Sequence, residues 1–173
     1  EGLADVLFGD YSPAGRLPVS VPVDVGQLPV YYNKKFPAGH DYVEMPSAPL
    51  YPFGYGLSYT SFEYSGLAVS NLGDQGVKVS LNVRNTGDCD GDEVVQVYVT
   101  DLVASTVRPR VQLRAFDRIH VRKGETAAVE LMLDRDAFSL CGSSMETVVE
   151  PGEFRISVGA SSTDIRLSET IAL

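Results

Sequence analysis

The sequence predicts an all-β fold for most of its 173 residues. Three observations support this prediction. Apolar and polar residues alternate in seven short segments from Tyr64 onward, turn-forming residues separate these segments, and eight of the ten prolines lie earlier, between Pro13 and Pro52. Alternation with period two is typical of strands that bury one face, and Gly, Asn and Asp favour tight turns. Seven such strands over about 110 residues, with no helix among them, predict an immunoglobulin-like β-sandwich.

The seven predicted strands read, in chain order, YSGLAVS, VKVSLNVRN, EVVQVYVTD, VQLRAFDRIHV, AAVELMLD, EFRISVGA and IRLSETIAL. Their alternate apolar positions are the candidate core. In the fourth strand the spacing of Leu113 and Phe116 breaks period two, so we expect a β-bulge between them. The residues expected to face inward are Leu67, Val69, Val79, Leu81, Val83, Val95, Val97, Val99, Leu113, Phe116, Val129, Leu131, Leu133, Phe154, Ile156, Val158, Ile165 and Leu167.

Residues 1–62 have a different character, and we expect them to be the C-terminal tail of an α/β domain plus a linker. Gly2–Phe8 is predicted to be a short amphipathic helix that ends at Gly9. The segment RLPVSVP reads as a short extended piece that its prolines confine to a sheet edge, and the proline-rich chain from Gln27 to Pro52 reads as irregular. One helix and one strand cannot bury their apolar faces against each other, so the body of this domain is expected upstream. The predicted sandwich domain is residues 63–173.

Charge and cysteine placement exclude several classes of protein. The net charge of −9 argues against a nucleic-acid partner, which requires a basic face. Apolar runs are only a few residues long, so we expect no membrane span, and no signal peptide is visible at the start of the chain. Cys89 follows the second predicted strand and Cys141 the fifth, which places them at opposite ends of a sandwich. We therefore expect two free thiols, with the loop 101–110 at the end that holds Cys141.

No pattern in the chain predicts a catalytic or metal site. Counting from Asp88, the acidic stretch GDCDGDE has Glu93 and Val99 where a calcium-binding EF-hand needs Gly and Glu. His40, His120 and the two cysteines lack the spacing of zinc ligands. The carboxylates that could be imagined as a glycosidase pair are Asp5, Asp10, Asp24 and Glu44, and their spacing does not distinguish them from solvated acids. We expect no cofactor, no metal and no catalytic residue.

The stretch VYYNKKF, residues 30–36, allows two interpretations. Aromatic faces and polar groups together suit a sugar ring, which makes Tyr31, Tyr32, Lys34 and Lys35 candidate sugar contacts. The structural interpretation is a linker whose tyrosines pack on a neighbouring domain, and we favour it.

The stretch YPFGYGLSYTSFEY, Tyr51 to Tyr64, holds six of the 16 Phe and Tyr residues. Together with ADVLFGDYSPAGRLPVSVP, GQLPVYYNKK, GDEVVQVYV, RPRVQLRAFDRI and VEPGEFRISVGASSTDIRL, it resembles the C-terminal region of glycoside hydrolase family 3, the β-glucosidase and β-xylosidase family. The later motifs resemble the fibronectin type III-like domain that closes many of those proteins. The resemblance covers essentially the whole chain.

The resemblance implies that the parent is a retaining, exo-acting β-glycosidase whose nucleophilic Asp and acid/base Glu lie upstream, so this chain alone is expected to be inactive. It also implies that the aromatic stretch is the hinge between the α/β domain and the fibronectin-like domain. The expected interdomain contacts are Tyr51, Phe53, Tyr55, Tyr59 and Phe62. The implied partners are the upstream catalytic domains and, through them, a β-linked oligosaccharide, and the implied compartment is the periplasm or the exterior.

Two functions for the chain follow from these expectations. In the first, the fibronectin-like domain buttresses the catalytic domains. In the second, it is an accessory carbohydrate-binding module that contacts extended oligosaccharide or polysaccharide. The absence of Trp favours the first, because polysaccharide platforms are often Trp-rich.

Overall fold

The computed structural model of the chain describes residues 2–35 and 46–173. The strands from Phe62 onward form two antiparallel sheets that pack face to face. One sheet has the order β1 (Phe62–Asn71), β2 (Val77–Asn85), β5 (Thr126–Leu133). The other has the order β4 (Gln112–Val121), β3 (Gly91–Asp101), β8 (Glu153–Gly159), β9 (Ile165–Ala172). The all-β sandwich predicted from the sequence is confirmed.

The seven predicted strands correspond to these seven. The structure adds a short hairpin of β6 (Leu140–Cys141) and β7 (Thr147–Val148), which two-residue strands do not reveal in a sequence pattern. Short 3₁₀ helices lie at Val25–Gln27, Gly73–Gln75 and Arg135–Phe138.

The core lies between the two sheets. Val79, Leu81 and Val83 of β2 face Val95, Val97 and Val99 of β3, and all six are buried. Phe154 of β8 packs edge-on against Phe138, with ring centroids 5.2 Å apart. Burial of this kind is the main driving force for the fold.

Three residues predicted to face inward do not, two in β4 and one in β9. The expected bulge in β4 is present, with Arg114 unpaired: Leu113 lies opposite Tyr98 and Ala115 opposite Val97. Cross-strand partners point to the same face, so Leu113 and Phe116 share the outer face with Tyr98, and Phe116 is 65% exposed.

A second register shift, in β9, places Ile165 opposite Gly159 and Leu167 opposite the buried Val158. Ile165 therefore also faces outward, whereas Leu167 packs on the core as predicted.

The described residues before β1, 2–35 and 46–61, are called the N-terminal segment below. Helix α1 (Gly2–Phe8) has the predicted bounds, and Gly9 follows it with φ +86°. RLPVSVP does not form a regular strand, because its prolines break the hydrogen-bonding pattern; Val21 makes an isolated antiparallel bridge with Tyr51 instead. None of the helices in the described ranges has the length and apolarity needed to cross a bilayer.

Cys89 and Cys141 are both free and exposed, as expected. The loop 101–110 also reaches the end of the sandwich that holds Cys141, because the Arg108 guanidinium donates to the Ser139 carbonyl at 2.6 Å.

Candidate functional site: the seam between the N-terminal segment and strand β3

The N-terminal segment is tied together by a short antiparallel ladder. Val21 and Tyr51 exchange both backbone hydrogen bonds, at 2.8 and 3.3 Å. Leu17 donates to the Tyr55 carbonyl at 2.9 Å and accepts from Gly54 at 2.8 Å. The segment RLPVSVP and the aromatic stretch therefore hold each other, although the paired residues are thirty or more positions apart. We call these four hydrogen bonds the ladder.

Gln96 of β3 connects this ladder to the sandwich. Its side chain points away from the core, yet the residue is only 2% exposed, because the N-terminal segment covers it. The amide nitrogen donates to the Gly54 carbonyl at 3.1 Å and to the Ala160 carbonyl at 2.6 Å, while Oε1 accepts from the Tyr98 hydroxyl at 2.6 Å. The buried amide is thus fully engaged, as a buried polar group must be.

Gly54 is required at its position for two reasons. Its φ is +81°, in the left-handed region that favours glycine. A Cβ on Gly54 would lie 2.1 Å from Oε1 of Gln96 and 3.0 Å from the Tyr98 hydroxyl. The backbone therefore passes directly over the two β3 side chains, with no room for a side chain of its own.

Aromatic rings cover the rest of the outer face of β3. Tyr32 stacks on Phe53 with centroids 4.1 Å apart and meets the ring of Tyr98 edge-on at 6.3 Å. Its hydroxyl accepts a hydrogen bond from the Leu113 backbone at 3.2 Å. Tyr98 is completely buried as a result. The outer face of this sheet, which in an isolated sandwich would be solvated, is a second small core.

Arg16 reaches from the N-terminal segment to a carboxylate buried inside the sandwich. Its Nη2 lies 2.7 Å from Oε2 of Glu93, and the Tyr64 hydroxyl of β1 donates to Oε1 of the same carboxylate at 2.7 Å. Glu93 is 2% exposed. The guanidinium of Arg166 lies over the Tyr64 ring, 5.9 Å from its centroid. One carboxylate therefore joins β1, β3 and the N-terminal segment.

Burial dominates the electrostatics of this cluster. It raises the pKa of Glu93 above its usual value, although the Tyr64 hydroxyl and the Arg16 guanidinium act in the opposite direction. Burial and the Glu93 carboxylate together raise the pKa of Tyr64, so its hydroxyl stays protonated and can donate. Gly56 lets the arginine pass, because a Cβ there would lie 2.2 Å from the Gly15 carbonyl and 2.7 Å from Arg16 Nη1.

Polar contacts also fix the segment beside Gly91, where β3 begins. The Thr60 hydroxyl, next to Gly91, donates to Asn85 Oδ1 at 2.5 Å, directly before β1 begins. At the second residue of β3, Asp92 accepts from Arg118 at 2.9 Å and contacts His120, and Tyr11 of the N-terminal segment joins this group through its hydroxyl. Strand β3 thus supplies a contact to the segment along most of its length.

The side of the N-terminal segment that does not face the sandwich is apolar and open. Thirteen of the 20 exposed large hydrophobic side chains in the described ranges belong to this segment, which is under a third of the described chain. Patches of this kind mark interaction surfaces. The thirteen are Leu3, Leu7, Phe8, Tyr11, Val19, Val23, Val25, Leu28, Tyr31, Leu50, Tyr51, Leu57 and Tyr59.

The five aromatics predicted as interdomain contacts divide among the seam, the sandwich core and the open side of the segment. Phe53 packs into the seam, and Phe62 packs partly on the sandwich core. Tyr51 and Tyr55 stack on each other at 5.1 Å along an open groove that Leu17, Val21 and Leu57 also line. Tyr59 is exposed, and its hydroxyl donates to the Val6 carbonyl of α1 at 2.8 Å.

The four candidate sugar contacts are only partly available. Tyr32 already stacks on Phe53, so that face of its ring cannot hold a sugar. Tyr31 is 58% exposed and, with Tyr32 and Lys34, borders a pocket of about 180 Å³. The Lys34 carbonyl accepts from Arg110, and Lys35 bridges Pro109, so the backbone here is held against the loop 101–110.

Two carboxylates of the acidic stretch after β2 already have a partner, which is Lys123. Asp88 pairs with Lys123 at 2.9 Å, and Asp90 accepts from the Lys123 backbone. Within the described ranges, no group of three or more His, Cys, Asp or Glu side chains could hold a metal ion. Among the residues discussed from the sequence, Phe36, His40 and Glu44 lie outside the described residues.

Sequence reasoning missed the polar residues that matter most here. Arg16, Glu93 and Gln96 form no catalytic or metal-binding pattern, and the pairing of Arg16 with Glu93 joins positions 77 residues apart. The one available signal was polarity inside the regular strand EVVQVYV, where a glutamate and a glutamine interrupt a run of valines.

Comparison with known proteins places this seam inside a larger architecture. Residues 1–59 match the model of the glycosyl hydrolase family 3 C-terminal domain, and residues 93–162 match that of the fibronectin type III-like domain. The seam described above joins the parts of the chain that match these two models.

Curated relatives match along almost the whole chain. A putative beta-xylosidase of Formosa agariphila is 40% identical over 170 residues, which are 96% of this chain and 22% of that protein. A periplasmic beta-glucosidase of Salmonella typhimurium is 40% identical over 178 residues, 95% of this chain and 23% of that protein. The chain therefore spans less than a quarter of the length of these relatives.

A solved structure has the same fold. The crystal structure of a beta-glucosidase from Listeria innocua in complex with glucose superposes with a TM-score of 0.90 at 36% identity. The match covers 98% of this chain and 25% of that one.

Proposed function

The chain belongs to the C-terminal region of glycoside hydrolase family 3, and we propose that it serves as the non-catalytic C-terminal part of a retaining, exo-acting β-glycosidase. Its two matched regions follow the order that the family resemblance implies, and its relatives include proteins named β-glucosidase and β-xylosidase. In this proposal, the sandwich buttresses catalytic domains that precede the N-terminal segment in the parent protein.

The observation that carries this proposal is the two-sided character of the N-terminal segment. One side is fixed to β3 by the Arg16–Glu93 ion pair, the Gln96 amide and the stacked rings of Tyr32 and Phe53. The other side exposes a concentration of large apolar side chains. A segment that is fixed on one side and apolar on the other fits a role between two bodies, because the open side gains free energy by burial against the missing one.

The chain supplies no catalytic pair in this proposal. The family resemblance assigns the nucleophilic Asp and the acid/base Glu to upstream segments. Glu93, a buried carboxylate, is enclosed by Arg16 and Tyr64 and cannot meet a substrate. We propose that the isolated chain does not hydrolyse glycosides.

The substrate class is a β-linked oligosaccharide, met through the parent enzyme, and no cofactor is required. One relative is named a β-xylosidase and another a β-glucosidase, so the names do not decide between xylosides and glucosides as the substrate. A periplasmic or secreted location is proposed, supported by the name of the Salmonella typhimurium relative. The net charge of −9 is unsuited to nucleic acid, and no membrane association is proposed.

The test compares the parent protein with a version that lacks residues 62–173. We expect the intact parent to hydrolyse aryl β-glucosides or β-xylosides, and the shortened protein to lose activity faster on heating. A parent that hydrolyses neither substrate would contradict the glycosidase assignment. A shortened protein that survives heating as well as the intact one would contradict the buttressing role.

A further inference from the structure

The face of β3 that points away from the sandwich core is built to be covered. Gln96 and Tyr98, on that face, are 2% and 0% exposed. Gly54, Phe53 and Tyr32 of the N-terminal segment provide the cover. A free sandwich would present a glutamine without one of its partners, the Gly54 carbonyl, and a large uncovered ring.

The inner side of β3 depends on the same segment. Glu93 lies among core residues of both sheets, and Arg16 is the cation that pairs with it at 2.7 Å. Without Arg16, the carboxylate would remain buried with one hydroxyl donor and with Arg166 as a more distant cation that forms no direct ion pair with it. Removing one member of a buried pair is strongly unfavourable, because the other charge is left without compensation.

From these two dependences we propose that the N-terminal segment from Tyr11 onward and the sandwich form one cooperative folding unit, with Arg16 as the coupling residue. The β3 face is then an interaction surface whose partner is the tail of the catalytic domain, not solvent. This unit differs from the division into regions 1–59 and 93–162 that the family models make.

The consequence for the parent enzyme rests on the proposed function. If the catalytic domain ends in this segment, it cannot release its tail without unfolding the sandwich. The sandwich would then act as a clamp on the end of the catalytic domain. Its stability would set a lower limit to the free energy of detaching that tail.

Native-state hydrogen exchange of the chain measures the coupling directly. The probes are the ladder amides of Val21, Tyr51 and Gly54 and the amides paired between β2 and β5, on the far sheet. We expect both sets to open with the same free energy and the same urea dependence, because both exchange by unfolding of one unit. Ladder amides that open at lower free energy, with little urea dependence, would overturn the proposal.

Substitution of Arg16 separates coupling from a local structural role. Arg16→Met keeps the length of the side chain and removes the charge; Arg122→Met, at an exposed position, is the matched control. We expect Arg16→Met to accelerate exchange by about 100-fold in both probe sets, and the control to change neither. Acceleration confined to the ladder would show that the segment opens by itself.

A milder variant keeps the test valid if Arg16→Met fails to fold. Tyr64→Phe removes only the hydroxyl that donates to Glu93, and Tyr64 is in the sandwich rather than in the segment. We expect Tyr64→Phe to accelerate exchange in the ladder and in β2–β5 equally. An effect on β2–β5 alone would contradict coupling.

These readouts do not depend on glycosidase activity. Equal exchange in both probe sets would support the folding unit even if the parent proved not to be a glycosidase. In that case only the inference that the sandwich clamps a catalytic domain would be rejected. Unequal exchange in an active parent would contradict the folding unit and leave the glycosidase assignment intact.

Discussion

The ring of Tyr32 lies on the ring of Phe53, with centroids 4.1 Å apart and planes inclined by 14°. The two residues come from segments with different expected roles, a candidate sugar contact and a candidate interdomain contact. Because the two rings stack, both segments take part in covering Tyr98 on the outer face of β3. The aromatic richness of the stretch from Tyr51 to Tyr64 is thus explained in part by contacts within the chain.

Gly54→Ala should destabilise the chain by more than about 2 kcal/mol. The added Cβ meets Gln96 Oε1 at 2.1 Å in a backbone with φ +81°, so strain and a displaced buried amide act together. Gly124→Ala is the matched control, because Gly124 has φ +78° with no atom within 4 Å of the added Cβ. Urea unfolding of both variants measures the difference. Equal losses would mean that backbone strain alone accounts for the effect.

Tyr98→Phe should cost about 1–2 kcal/mol of stability, because Gln96 Oε1 loses a buried donor at 2.6 Å. Tyr31→Phe, at an exposed ring, should change the unfolding free energy by less than about 0.5 kcal/mol. Thermal unfolding followed by circular dichroism compares the two. A Tyr98→Phe variant as stable as the unsubstituted chain would show that the hydrogen bonds of Gln96 contribute little to the unfolding free energy.

Stability should depend on pH through Glu93. Burial raises the pKa of this carboxyl in the folded chain, so the folded state holds the proton more tightly than the unfolded state. The stabilisation is therefore complete below the ordinary glutamate pKa and is lost as the pH rises through the folded value. Glu93→Gln removes this titration. We expect the stability of the natural chain, minus that of Glu93→Gln, to fall as the pH rises above the ordinary glutamate pKa, as measured by urea unfolding.

The opposite slope is informative as well. If the difference rises with pH, then the hydrogen bond from Tyr64 and the charge of Arg16 outweigh burial at this site, and the ionised carboxylate is the preferred form. A flat difference would mean that Glu93 does not change its pKa on folding.

The isolated chain should self-associate through its open apolar side. Leu57 is 67% exposed in the groove beside Tyr51 and Tyr55, and Leu57→Ser should weaken association without loss of stability. Val103→Ser, at a side chain 81% exposed on a sandwich loop, is the control and should not weaken it. Sedimentation velocity over a range of concentrations gives the comparison. Equal effects of the two substitutions would mean that the groove is not the contact.

The sequence predicted the sandwich well because its strands are regular. In β2 and β3, valines occupy alternate positions, so the pattern allows only one choice of buried face. In the structure these valines are buried, as the pattern predicts. The prediction for Leu113 and Phe116 was wrong although the bulge between them was expected. The unpaired Arg114 puts both side chains on one face, and the local apolar pattern does not say that this is the outer face.

The seam was less predictable, for a physical reason. Arg16, Glu93 and Tyr64 meet only after the chain has folded, and nothing local about any of them indicates its partners. Tyr98 lies on the outer face, as its place between the inward Val97 and Val99 implies, but its complete burial depends on Tyr32 and Phe53, which are distant in sequence. Local patterns specify faces, whereas long-range contacts decide whether a face is covered.

The most direct test is to isolate the native polypeptide from its source cells with an antibody raised against this chain, and to measure its intact mass and its hydrolysis of aryl β-glucosides and β-xylosides. The account predicts a polypeptide more than four times the 18.7 kDa of this chain, in proportion to its relatives, with β-glycosidase activity that co-purifies. The recombinant chain alone should be inactive in the same assay. A native product near 18.7 kDa without that activity would contradict the account.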